Sequence, residues 1–156
     1  MLKALRNIAI ATAAVAVLAG GAQAAGMEKP VAARKAVMKL NGFYMSQLGG
    51  MAKGEMAYDA KVAQGAANGL LALARLDTSG MWLKGSGNDV LGDKTRAKPE
   101  IWSTYPEIAN KSKALKAALE SLVAVAGTGL DGLKGGIGAV GKSCGGCHKL
   151  FREKKK

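Results

Sequence analysis

One histidine, His148, and two cysteines, Cys144 and Cys147, are all that the 156 residues contain of these types. Zinc sites of structural type need about four such ligands, so this chain falls short of one. Aromatic side chains make up 4% of the chain, and none are interleaved with basic residues as a stacking surface for nucleic acid would require. No nucleic-acid motif is present either, so nucleic acid is excluded as a partner in spite of a net charge of +12. Strand-like alternation of apolar and polar residues is missing throughout, and so is any internal repeat. Outside the N-terminus there is no apolar run long enough to cross a membrane.

What is present begins with a tripartite leader. Lys3 and Arg6 form a basic start, Ile8 to Gly21 an apolar run, and Ala22-Gln23-Ala24 a small-residue cleavage signal. A membrane anchor would need roughly 20 apolar residues, and this run is shorter and ends in glycines. Residues Met1–Ala24 are therefore expected to be a cleaved signal peptide, and the product an exported, periplasmic protein. Removing those 24 of the 156 residues leaves 132, a single domain, and losing Lys3 and Arg6 takes the net charge from +12 to +10.

The mature chain reads as helix. Val31, Arg34, Met38, Asn41, Met45 and Leu48 fall three and four apart, on one stripe. Pro30 suits the first turn of that helix and Gly49-Gly50 its end, which puts Met51, Met56 and Met81 at element ends or in loops. Asp59 is a candidate N-cap for a second helix carrying Val62, Ala66, Leu70, Leu73 and Leu76. Asp77 to Pro99, rich in Gly, Ser, Asp and Lys, reads as a long connection with a short helical turn inside. A third helix is expected from Glu107 to Ala126. A fourth presents Leu130, Leu133, Ile137, Val140, Cys144, His148 and Phe151 on one face. The fold class is all-α, a four-helix bundle.

The fourth helix carries the chemistry, in "KSCGGCHKLFR". Cys144 and Cys147 are i and i+3, and His148 is i+4 from Cys144, so all three leave one side of the helix. A disulfide would leave His148 unexplained, and a thioredoxin-like motif needs a βαβ context that is missing. Cys-x-x-Cys-His is the attachment pattern of a c-type haem: two thioethers to the porphyrin and an imidazole to the iron. One motif and one histidine mean one covalently attached haem c. A buried porphyrin would also supply the bulk that the scarce aromatics do not. Seven glycines lie in this helix, each costing roughly 1 kcal/mol against alanine, so the segment is expected to fold poorly without haem. Gly141, on the His148 face, would let a flat ring approach.

A haem motif at the C-terminal end of a four-helix bundle resembles the class II cytochromes c, the cytochrome c′ family. "VGKSCGGCHKLFR" looks like that family's haem helix, "KPEIW" like the segment before the third helix, and "ARKAVMKLNG" like the first-helix segment over the distal face. The resemblance implies a monohaem protein with no enzymatic activity, and "VMKLNG" with "LGGMAKGEMAYD" looks closer to the low-spin branch. There Met38 would be the distal iron ligand opposite His148, and the protein a one-electron carrier. The alternative is a five-coordinate cytochrome c′ with Met38 as a steric lid over an iron open to NO and CO. Arg34, one turn before Met38, would on the family pattern meet a haem propionate; otherwise it snorkels to solvent. Arg152 matches a family arginine near the proximal histidine, or caps the helix end with the lysines. A haem peroxidase is disfavoured, because with His148 on the iron no distal histidine remains for acid–base work.

The expected partners follow from charge. A strongly basic carrier finds redox proteins through an acidic docking patch on the partner. Family resemblance adds diatomic gases and a homodimer through the first two helices.

Overall fold

The computed structural model describes residues 26–154; the signal peptide expected over Met1–Ala24 lies outside them. Four long helices form the frame: α1 (Glu28–Lys53) and α2 (Ala60–Arg75), then α5 (Glu107–Val125) and α6 (Leu130–Phe151). Two short ones, α3 (Asn88–Leu91) and α4 (Glu100–Ser103), lie in the long connection with 3₁₀ turns at Ser79–Met81 and Gly92–Lys94. The long helices pack α1 on α2, α2 on α5, α5 on α6 and α6 back on α1, closing a ring around one core. Among the described residues there is no strand, only an isolated antiparallel bridge between Ala97 and Arg152.

Local chemistry accounts for the helix ends. Pro30 sits in the first turn of α1. Asp59 caps α2, its carboxylate accepting from the Val62 amide at 2.9 Å. The expected end of α1 at Gly49-Gly50 is wrong: the helix runs on to Lys53 and stops at Gly54, whose φ of 77° is the left-handed C-cap conformation. Leu48 and Met51 are 0% and 1% exposed, and burying each is worth about 2 kcal/mol. That outweighs the roughly 1 kcal/mol cost of each interior glycine. Met51 is thereby a core residue instead of an element end, and its sulfur accepts from the Asp59 amide.

Leu48, Met51, Leu70, Leu119, Leu122, Leu133 and Val140 fill the main core, with Ala63, Ala66 and Ala67 letting α2 come close. A second, smaller cluster of Ala97, Ile101 and Phe151 lies at the far end of α6, joined by Trp82, Trp102, Ile108 and Cys147. Two glycines of α6 serve its approach to α5. A Cβ on Gly132 would stand 2.6 Å from the Val125 carbonyl, and one on Gly136 3.0 Å from Leu122. Helical periodicity alone did not distinguish them from Gly141.

Candidate functional site

The predicted stripe of α6 faces inward along its whole length. Leu133, Val140 and Phe151 are buried, and Leu130, Ile137, Cys144 and His148 half-buried. Cys144 packs against the main core and Cys147 against the second cluster, so the two thiols, both free, straddle the boundary between them. Burial pushes both thiols above the usual cysteine pKa; Cys144 adds to the rise at Cys147, and Lys111 opposes it. His148 moves the other way. Burial, then the positive charges of Arg152 and Arg96, hold its imidazole below the ordinary value of 6.5. The ring is therefore neutral at pH 7, the form that binds a metal.

On the facing helix α1 the buried stripe opens in its middle. Val31, Arg34 and Leu48 are buried, Asn41 and Met45 half-buried, but Met38 is 47% exposed. Met45 packs on the main core, whereas Met38 belongs to neither cluster. Of the two methionines on the stripe, Met38 alone is left unengaged by the protein core.

Arg34 does not snorkel; it is 3% exposed. Its Nη1 donates to the Ser86 hydroxyl at 2.6 Å and the Met81 carbonyl at 3.3 Å, and its Nη2 to the Thr95 hydroxyl at 2.9 Å and the Ser86 carbonyl. The guanidinium carbon also lies 4.9 Å from the centre of the Trp82 ring. Four of its five N–H groups thus serve the connecting segment, and among the described residues no carboxylate pairs with it.

Sequence reasoning missed Arg96, Ser86 and Thr95, which lie in a stretch without periodicity; only the oddity of an arginine on a core stripe signalled that polar partners must face it. Trp102 packs in the second cluster and donates its Nε1–H to the Trp82 carbonyl at 2.8 Å.

The residues present fit a covalently held porphyrin. Two free thiols and a neutral imidazole share one helix side, and Gly141, two turns before His148, presents bare backbone: a Cβ there meets nothing within 4 Å. Among the described residues no three His, Cys, Asp or Glu side chains converge as a metal cage would need.

Comparison with known proteins points the same way. The family model described as cytochrome c′ matches residues 29–152. A cytochrome c′ of Cereibacter sphaeroides is 38% identical over 97% of this chain and 100% of its own length. A cytochrome c-554 of the same organism is 35% identical over 94% of this chain and 95% of its own. Among solved structures, a cytochrome c′ from Rhodobacter superposes with a TM-score of 0.80 at 36% identity, covering 83% of this chain and 98% of that one. A nitric oxide complex of a mutant cytochrome c prime from Alcaligenes xylosoxidans gives 0.71 at 30% identity, covering 83% and 97%.

Proposed function

This chain belongs to the cytochrome c′ family, whose cofactor is one covalently attached haem c, and from that premise we propose that it is a periplasmic gas-binding monohaem protein with an open distal site. Cys144 and Cys147 supply the thioether links and His148 the proximal ligand. Met38 would stand over the haem as a steric lid. When bound, the haem supplies an iron centre that takes up a diatomic gas or exchanges one electron. The observation that carries the reading is a Cys/Cys/His array on α6, a helix that packs against α1, on whose stripe Met38 stands exposed. The solved nitric oxide complex of a similar protein supports the same choice. The test is carbon monoxide binding to the reduced protein. Direct, saturable binding with no lag from ligand displacement is expected; a reduced protein that ignores carbon monoxide contradicts it.

The reading expected from sequence, a low-spin His/Met carrier, is kept second by one observation. Met38 is the only thioether of the α1 stripe not already used in the core. Ligation by Met38 would raise the reduction potential and make the protein an electron carrier. Under either reading Arg34 has one N–H, at Nε, left for a propionate; a bidentate bond would cost the loop contacts. A net charge of +10 after loss of Lys3 and Arg6 from the chain's +12 suits an acidic redox partner. Electron-transfer rates should then fall as ionic strength rises. Leu40 and Phe43, 46% and 55% exposed on α1, suit a homodimer through α1 and α2, which sedimentation would detect.

A further inference from the structure

Arg34 is the starting point of a hydrogen-bonded chain that ends beside His148. It begins on α1, one turn before Met38, with the donations to Ser86 and Thr95 described above. Ser86 and Thr95 are 0% and 5% exposed. Thr95 accepts a second time, from the Ala97 amide at 3.2 Å. The carbonyl of Ala97 accepts from the Asn88 amide at 2.8 Å, which closes the loop on itself. Next to it the Lys98 amide donates to the Phe151 carbonyl at 3.0 Å, and the Glu153 amide to the Arg96 carbonyl at 2.8 Å. Phe151 is the last residue of α6, and the Arg152 amide donates to the His148 carbonyl at 3.1 Å.

We infer that Arg34 is a positioning residue which fixes the turn of α1 carrying Met38 against the turn of α6 carrying His148, with residues 81–98 acting as a strap between them. The inference rests on Met38 and His148 flanking the cofactor. Chemistry favours arginine for this task. The planar fork donates in two directions at once, while a lysine at the same place offers a single point of attachment. The partners are neutral oxygens with little freedom, because Ser86 also donates to the Leu83 carbonyl at 2.6 Å and Trp82 stacks on the guanidinium. A cation buried among such partners is expensive. Stability alone is therefore a weak reason for it, and the fixed geometry it imposes is a stronger one.

The strap predicts that two remote substitutions act alike. Arg34→Lys keeps the charge and loses the fork; Thr95→Val keeps the shape and loses the acceptor. Both are made in the haem-loaded full protein. The first readout is amide hydrogen exchange at Lys98 and Glu153, which donate across the junction with α6. Each variant should speed it by about fivefold, the factor for one lost hydrogen bond. The second is the midpoint reduction potential, which reports the iron's surroundings whichever ligand faces His148. It should shift in the same direction in both variants, and the double variant should add little to either single one. Unchanged exchange at Lys98 and Glu153 overturns the strap. Faster exchange with an unmoved potential overturns the positioning role and leaves Arg34 a stabilising residue only. Neither readout uses carbon monoxide, so failure of the gas-binding reading is seen separately in the unsubstituted protein.

Discussion

Cys144 and Cys147 stand three residues apart on α6, yet one packs on the main bundle core and the other on the small cluster around Ile101 and Phe151. A group bonded to both would tie the two clusters together. Without it, α6 relies on a sequence in which Gly135, Gly138, Gly141, Gly145 and Gly146, where a Cβ would meet nothing within 4 Å, are each roughly 1 kcal/mol worse than alanine. The double variant Cys144→Ala, Cys147→Ala is therefore expected to lose much of its helical circular dichroism. Full helicity in the haem-free variant would show that the clusters hold by themselves.

Two glycines of α2 separate packing from propensity. A Cβ on Gly69 would lie 2.5 Å from Tyr44 Cζ, whereas one on Gly65 meets nothing within 4 Å. Gly65→Ala should stabilise the protein by about 1 kcal/mol. Gly69→Ala should destabilise it by about 1–3 kcal/mol, because the Tyr44 ring must move. Urea midpoints shifting in the same direction for both would refute the close helix contact.

Tyr58 links the α1–α2 turn to the end of α5 by donating its hydroxyl to the Ala126 carbonyl at 2.9 Å. Tyr58→Phe removes that donor at unchanged shape. The expected loss is about 1 kcal/mol in urea denaturation; no loss would mean that water replaces the bond freely.

On the proposed reading, protons would compete with iron for His148. Burial, Arg152 and Arg96 lower the imidazole pKa from 6.5. A lowered pKa contributes stability that is present above the unfolded value and is lost as pH falls through the folded one. Arg96→Gln and Arg152→Gln each remove a positive charge, so the ring takes a proton more readily. The acid transition of the haem-loaded protein, followed in its Soret band, should move to higher pH in both variants. A transition that stays in place would place the two arginines too far from the ring to act.

Periodicity and capping made most of the bundle legible. Asp59 capped α2 as a short polar residue before an apolar stripe should, and the limits of α6 followed from the stripe that runs from Leu130 to Phe151. The Cys-x-x-Cys-His spacing marked the candidate site because three reactive side chains at i, i+3 and i+4 share a helix side. Gly49-Gly50 misled, because local propensity cannot register that Leu48 and Met51 are buried by α2 and the rest of the bundle. The partners of Arg34 were out of reach for a similar reason. Ser86 and Thr95 are 52 and 61 residues away in sequence, in a segment whose shape is set by turns and side-chain oxygens, which leave no periodic trace.

The measurement that bears most directly on the function is the absorption spectrum of the oxidised, haem-loaded protein between about 600 and 750 nm, where the axial ligands of a c-type haem are reported. An iron held by His148 alone predicts a high-spin band that Met38→Ala leaves in place. A methionine–iron charge-transfer band that disappears in Met38→Ala would contradict the open distal site and make the protein a His/Met electron carrier.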